Sequence, residues 1–168
     1  MNKQKQPDVI YADMVVTRVL DAPVEAVWEF WTVPEKFQQW WAPEGFVVSK
    51  AEMDVRVGGS YLWCMRGPEG WGGKHPCNTG TFSDVVPHRL LRYSVKWADD
   101  RGNVLTAAEM GMDYPDELVN QVTFEALPDD RTIMTITEYG APLNQMFAYG
   151  YAGLNEGIDK MVAALKKG

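Results

Sequence analysis

The most regular alternation of apolar and polar positions in the chain is its last one. Leu143, Met146, Phe147, Gly150, Leu154, Gly157, Ile158, Met161 and Leu165 recur at spacings of three and four, while Asn144, Asn155, Asp159 and Lys166 fall opposite. That period predicts a long amphipathic helix over Pro142–Lys167 whose broad apolar face needs a cover. Gly150, Gly153 and Gly157 lie on one flank of this face. Each costs roughly 1 kcal/mol against Ala in a helix interior, so they are expected to serve either a close approach by another element or a hollow beneath the helix.

Upstream the pattern supplies a sheet to cover that helix. Met14–Leu20 is β-branched and partly alternating and reads as a first strand. Asp21-Ala22-Pro23 follows, with Asp21 expected to cap a helix and Pro23 suited to its first turn. Val24, Val27, Trp28 and Trp31 keep helical spacing; Thr32 and Pro34 interrupt it, and Phe37, Trp40 and Trp41 extend an apolar stripe as far as Pro43. From Phe46 the period becomes two. Strands are expected over Phe46–Val57, Ser60–Arg66, Thr81–Val86, Leu90–Trp97, Leu118–Ala126 and Thr132–Tyr139, with turns at Gly58-Gly59, Pro87-His88 and Pro128-Asp129-Asp130. Gly67–Thr79 reads as a long surface loop, and residues 98–117 as a turn-rich flap carrying Ala107, Ala108, Met110 and Met112. Strands joined by short turns favour an antiparallel sheet. The expected fold is therefore α+β, a helix-grip arrangement in which a curved sheet of about six to seven strands wraps a long C-terminal helix, with two short helices between strands one and two. Residues 1–11 are expected to be flexible and 12–168 to form a single domain.

Composition narrows the partners more than the fold. With 23 acidic against 16 basic residues the formal charge is -7, which disfavours a surface that collects phosphates, so nucleic acid is not an expected partner. No apolar run is long enough to span a membrane, and the polar start MNKQKQPDVIYAD shows no secretory h-region, so a cytoplasmic location is expected. Seven Trp and nine Met suit either an irregular core or an adaptable apolar pocket. Cys64 and Cys77 do not have a metal or redox spacing and are expected to be two separate thiols.

The stretch TRVLDAPVEAVWEFWTVPEKFQQWWAPEGF (17–46), then DVRVGGSYLWCMRGPEG (54–70), HPCNTGTFSDVVPHRLL (75–91) and GYAGLNEGIDKMVAAL in the last helix resemble the SRPBCC (START / Bet v-like) superfamily, in the branch similar to the activator of the heat-shock-protein-90 ATPase. The resemblance spans nearly the whole domain. It implies a curved sheet of about seven strands around the C-terminal helix, with a deep and mostly apolar cavity between them. It does not imply one activity, because this superfamily holds carriers, cyclases, aromatases and co-chaperone domains.

Given such a cavity, strand alternation turns Tyr61, Trp63, Met65, Phe82, Tyr93, Val95 and Trp97 toward it, and Met146, Gly150, Gly153 and Leu154 reach it from the helix. Packing of these same side chains into a filled core is the competing account. The reading that follows is a protein that binds an apolar or aromatic small molecule. Its alternatives are a cyclase-, aromatase- or hydrolase-like enzyme in the same cavity and a co-chaperone or other protein-binding module. For the enzyme, His75 in the glycine-rich loop and Glu109 in the flap are the candidate proton-transfer pair, whereas His88 reads as a turn residue. No cofactor is implied. Cys64, His75 and Cys77 lack a fourth ligand and the paired spacing of a zinc site, and Gly70-Trp71-Gly72-Gly73-Lys74 lacks the full phosphate-loop pattern. The exposed strand edges leave a homodimer open.

Overall fold

The computed structural model describes residues 8–70 and 75–168. Their order is β1 (Tyr11–Leu20), α1 (Val24–Thr32), α2 (Pro34–Phe37), β2 (Val47–Met53), β3 (Ser60–Arg66), β4 (Cys77–Val86), β5 (Leu90–Ala98), β6 (Val104–Leu105), β7 (Glu117–Ala126), β8 (Thr132–Pro142) and α3 (Gln145–Leu165). One antiparallel sheet runs β1-β8-β7-β5-β4-β3-β2, with β6 added beside β5. This is the expected α+β helix-grip architecture. Residues 1–7 of the expected flexible segment lie outside the described residues, as do 71–74 of the expected loop.

Alternation along each strand decides which side chains enter the core. Met14, Val16 and Leu20 of β1, Leu91 and Tyr93 of β5, Val122 and Phe124 of β7, and Met134 and Ile136 of β8 are buried on one face of the sheet. From above, α3 contributes Ile158 and Met161, the helical pair contributes Val27, Trp31 and Phe37, and the segment after α2 contributes Trp40. Phe37 lies 4.5 Å from Trp63 and Trp31 4.8 Å from Trp40, centroid to centroid, so the α1–α2 pair is sealed to β3 through rings. Trp40 donates its indole N–H to the Phe30 carbonyl at 2.7 Å. Thr132, fully buried, donates to the Ala22 carbonyl at 2.8 Å and ties the start of β8 to the turn before α1.

Several local expectations change. The N-cap of α1 is Pro23, which makes no side-chain cap bond, so Asp21 does not cap that helix. At α3 the cap is Asn144, whose side chain accepts from the Phe147 N–H at 3.1 Å; the helix therefore starts later than Pro142, and Leu143 stays exposed outside it. β2 stops at Met53 rather than Val57. Gly58, at φ 82°, turns the chain toward β4, where Gly58 N–H bonds the Phe82 carbonyl at 2.8 Å. A Cβ at Gly59 would lie 1.9 Å from the Asp54 carbonyl oxygen, so only glycine fits this turn. The expected loop Gly67–Thr79 ends early, since Cys77, Asn78 and Thr79 already pair in β4, and β6 is an additional strand in the flap.

The largest correction concerns the cysteines. Cys64 and Cys77 are not separate thiols but a disulfide. Sequence spacing of 13 gave no hint of it, whereas the β3–β4 register sets the two residues directly opposite one another. They face away from Tyr61 and Trp63, into a small apolar cluster with Leu62 and Ala98.

Candidate functional site

Between the sheet and α3 the core does not close. A cavity of about 250 Å³ remains, bordered by Trp63 and Met65 of β3, Tyr93, Val95 and Trp97 of β5, Met146, Gly150 and Leu154 of α3, and Trp41–Pro43 from the segment after α2. Half of the residues on its walls are aromatic or methionine. Tyr149, 62% exposed, borders the side open to solvent.

The three helix glycines bring α3 against its neighbours. A Cβ on Gly153 would stand 3.0 Å from Pro43 Cγ and one on Gly157 2.9 Å from the Trp40 carbonyl oxygen, while one on Gly150 would meet only Met14 Cε at 3.4 Å. Gly153 and Gly157 thus serve a close approach, and the approaching element is the segment after α2 rather than a strand. All three also border the cavity.

One corner of the cavity is polar. Asn120 of β7 stands directly opposite both Tyr93 of β5 and Glu138 of β8 in the ladder. Its side chain hydrogen-bonds Tyr93 and Glu138, and the Tyr114 hydroxyl donates to Glu138 Oε1. Burial pushes the Glu138 carboxyl above its ordinary range, and the hydrogen bonds from Tyr114 and Asn120 oppose that rise without cancelling it. Burial also raises Tyr93 and Tyr114, and the neighbouring Glu138 charge raises both further. Of the polar atoms on residues bordering the cavity, the buried indole Nε1 of Trp63 and Oδ1 of Asn120 have no partner among the described residues.

The flap supplies Tyr114 and is held in place from two sides. Trp97 donates its indole N–H to the Pro115 carbonyl at 3.0 Å, and Asn144, the cap of α3, donates to the Asp113 carbonyl at 2.7 Å. One residue therefore both starts the helix and fixes the flap.

The pattern of the activator of Hsp90 ATPase homolog 1-like protein family matches residues 21–166. The chain belongs to this family. No curated protein matches it. Among solved structures, a Chromobacterium violaceum protein is 25% identical with a TM-score of 0.75, over 91% of this chain and 96% of that one. A Nitrosomonas europaea protein is 22% identical with a TM-score of 0.71, over 92% and 94%. An AHSA1 protein of Silicibacter pomeroyi is 20% identical with a TM-score of 0.71, over 92% and 98%. The last two likenesses speak for the fold alone.

Against the residues singled out in the sequence of this family member, the structure brings Tyr61, Trp63, Met65, Tyr93, Val95, Trp97, Met146, Gly150, Gly153 and Leu154 to the cavity. Phe82 is not on its wall. That ring is buried in packing 5.7 Å from Tyr61 and 5.9 Å from Tyr93. His75 is exposed and Glu109 is engaged in a reciprocal turn with Thr106, whose N–H donates to Glu109 Oε2 at 2.6 Å; neither borders the cavity. His88 occupies the β4–β5 turn at φ 65°, edge-on to Trp28. Among the described residues no cluster of His, Cys, Asp and Glu is placed to hold a metal, and no helix is long and apolar enough to cross a membrane.

Asn120, Glu138 and Tyr114 are the site residues that sequence reasoning missed. The first two carried a readable signal. Leu118, Asn120, Val122 and Phe124 share one face of β7, and Thr132, Met134, Ile136 and Glu138 one face of β8, so a polar residue interrupts an otherwise apolar inner face in each strand. Tyr114 lies in the irregular flap, where no period applies.

Proposed function

We propose that the protein binds a small molecule with an apolar or aromatic body in the cavity beneath α3, without transforming it. The observation that carries this reading is an aromatic-walled cavity of about 250 Å³ left open inside an otherwise packed core. Interiors close to near-crystalline density unless something occupies the space, and apolar clefts with a few oriented polar groups are the usual form of small-molecule sites. A thermal-shift screen with polycyclic, aromatic and fatty-acid compounds tests it. A ligand present at a hundred times its dissociation constant adds about 2.7 kcal/mol, a shift of several degrees for a chain of this length. Gly150→Leu, which fills the cavity from α3, should abolish the shift while the protein still unfolds cooperatively. A shift unaffected by Gly150→Leu places the ligand elsewhere and removes this reading.

A second reading, proton-transfer catalysis, rests on the Glu138–Tyr114 pair rather than on His75 and Glu109. A half-buried carboxylic group with raised proton affinity, hydrogen-bonded to a phenol at a cavity wall, is what a general acid or base requires. It predicts turnover of a bound compound that Glu138→Gln removes while binding survives.

A further inference from the structure

Resting on the binding role above, the geometry points to the charge of the ligand. We propose that the cavity takes an organic cation, a protonated amine carried on a flat aromatic body, with its ammonium group against Glu138 and Asn120. Three observations carry this. Glu138 is the one Asp, Glu, Lys, Arg or His among the described residues bordering the cavity. Its partners, Tyr114 and Asn120, are both neutral, and no ion pair engages it among the described residues. A carboxylate in such a place is a half-buried charge for which the described residues supply no counter-ion.

The hydrogen-bonding capacity left over has the same sense. A carboxylate accepts up to about four bonds, and Glu138 has two neutral partners. Asn120 Oδ1 is a buried acceptor with none among the described residues. Adjacent unfilled acceptors need donors, and an ammonium offers three. A hydroxyl on the ligand would fill one acceptor and leave the charge uncompensated; a carboxylate on the ligand would face Glu138 with like charge. The aromatic lining then adds to the selection, because Tyr93, Trp97 and Tyr114 present ring systems around this corner, and a cation near ring faces is stabilised in a desolvated site. The free Trp63 N–H is a donor, so an oxygen on the aromatic body of the ligand would complete it.

Three probes sharing one ring separate charge from shape: naphthylmethylamine, naphthalenemethanol and naphthoate, titrated calorimetrically into the whole chain at neutral pH. The amine is expected to bind about tenfold or more tighter than the alcohol, in line with hydrogen bonds to charged groups, and naphthoate weakest. Glu138→Gln, which keeps the shape of the side chain, should erase the amine's advantage over the alcohol. If the alcohol binds the unaltered protein as tightly as the amine, or if Glu138→Gln retains the preference, the cation proposal is wrong and the cavity reading stands. If none of the three binds, both fall. The comparison of amine with alcohol needs no variant, so it decides even if Glu138→Gln fails to fold.

Discussion

The three glycines of α3 answer differently to one substitution, and the differences follow from what a Cβ would touch. Alanine in place of glycine in a helix interior gains about 1 kcal/mol from propensity alone. At Gly150 the nearest atom to the new methyl is Met14 Cε at 3.4 Å, the mobile end of a side chain. Gly150→Ala should therefore keep most of that gain and raise Tm by about 2–4 °C for a domain of this size. At Gly153 the contact is Pro43 Cγ at 3.0 Å, a ring that has to shift, and gain and cost should nearly cancel. At Gly157 the methyl would lie 2.9 Å from the Trp40 carbonyl oxygen and 3.5 Å from that of Ala42. The Trp40 carbonyl cannot retreat freely, since it accepts the Ala42 N–H at 2.7 Å and its ring is locked by the bond to Phe30. Overpacking of that kind costs about 1–3 kcal/mol, which leaves Gly157→Ala a net loss of about 1 kcal/mol after the propensity gain. Thermal unfolding followed by far-UV circular dichroism reads all three. The predicted order of Tm is Gly150→Ala above the unaltered protein and Gly157→Ala below it. A Gly157→Ala protein as stable as Gly150→Ala would refute the claim that α3 is held this close to the segment after α2.

Glu138→Gln should raise Tm at neutral pH. Burial lifts the folded-state pKa of Glu138 above that of the unfolded chain, so the folded state is penalised at high pH and relieved as pH falls through the raised value toward the ordinary 4.5. The Tm gap between variant and unaltered protein should close over that window, and a gap that stays constant or widens toward acid would contradict the burial. Reduction of Cys64–Cys77, which closes a loop between residues 13 apart, should cost about 3 kcal/mol on the chain-entropy account, roughly 6–12 °C in Tm; the same melt with and without dithiothreitol checks it, and no change would mean that the thiols are not joined. Thr132→Val removes the bond to the Ala22 carbonyl and leaves that acceptor buried and unpaired, so urea unfolding should show a loss of about 1–3 kcal/mol.

Long-period features were readable from the chain and short-range or cross-strand features were not. The α3 period and the β5 alternation Leu91, Tyr93, Val95, Trp97 placed the correct faces inward because each repeats several times, so single exceptions do not disturb the pattern. Asn144 reads from the period as a polar-face residue of the helix, and its cap role is not legible because it depends on one dihedral and one bond. The disulfide depends on register. Nothing local to Cys64 or Cys77 says that they face each other; that emerges only once β3 and β4 are paired. Glu138 and Asn120 were visible as polar interruptions on inner strand faces, yet their meeting requires three strands, β5, β7 and β8, to be placed side by side. His75 and Glu109 are chemistry-bearing residues in irregular segments, where sequence offers no period to say which way a side chain points.

Whether a small molecule occupies the cavity beneath α3 can be read from the indole N–H signals in a proton–nitrogen correlation spectrum during titration with a naphthyl probe. Trp63 and Trp97 border the cavity, whereas Trp28 packs on Phe124 and His88 outside its lining. Saturable shifts of the Trp63 and Trp97 indole signals are expected, with Trp28 unmoved. Indole signals that never move, or a Trp28 signal that moves as far as that of Trp63, would contradict it.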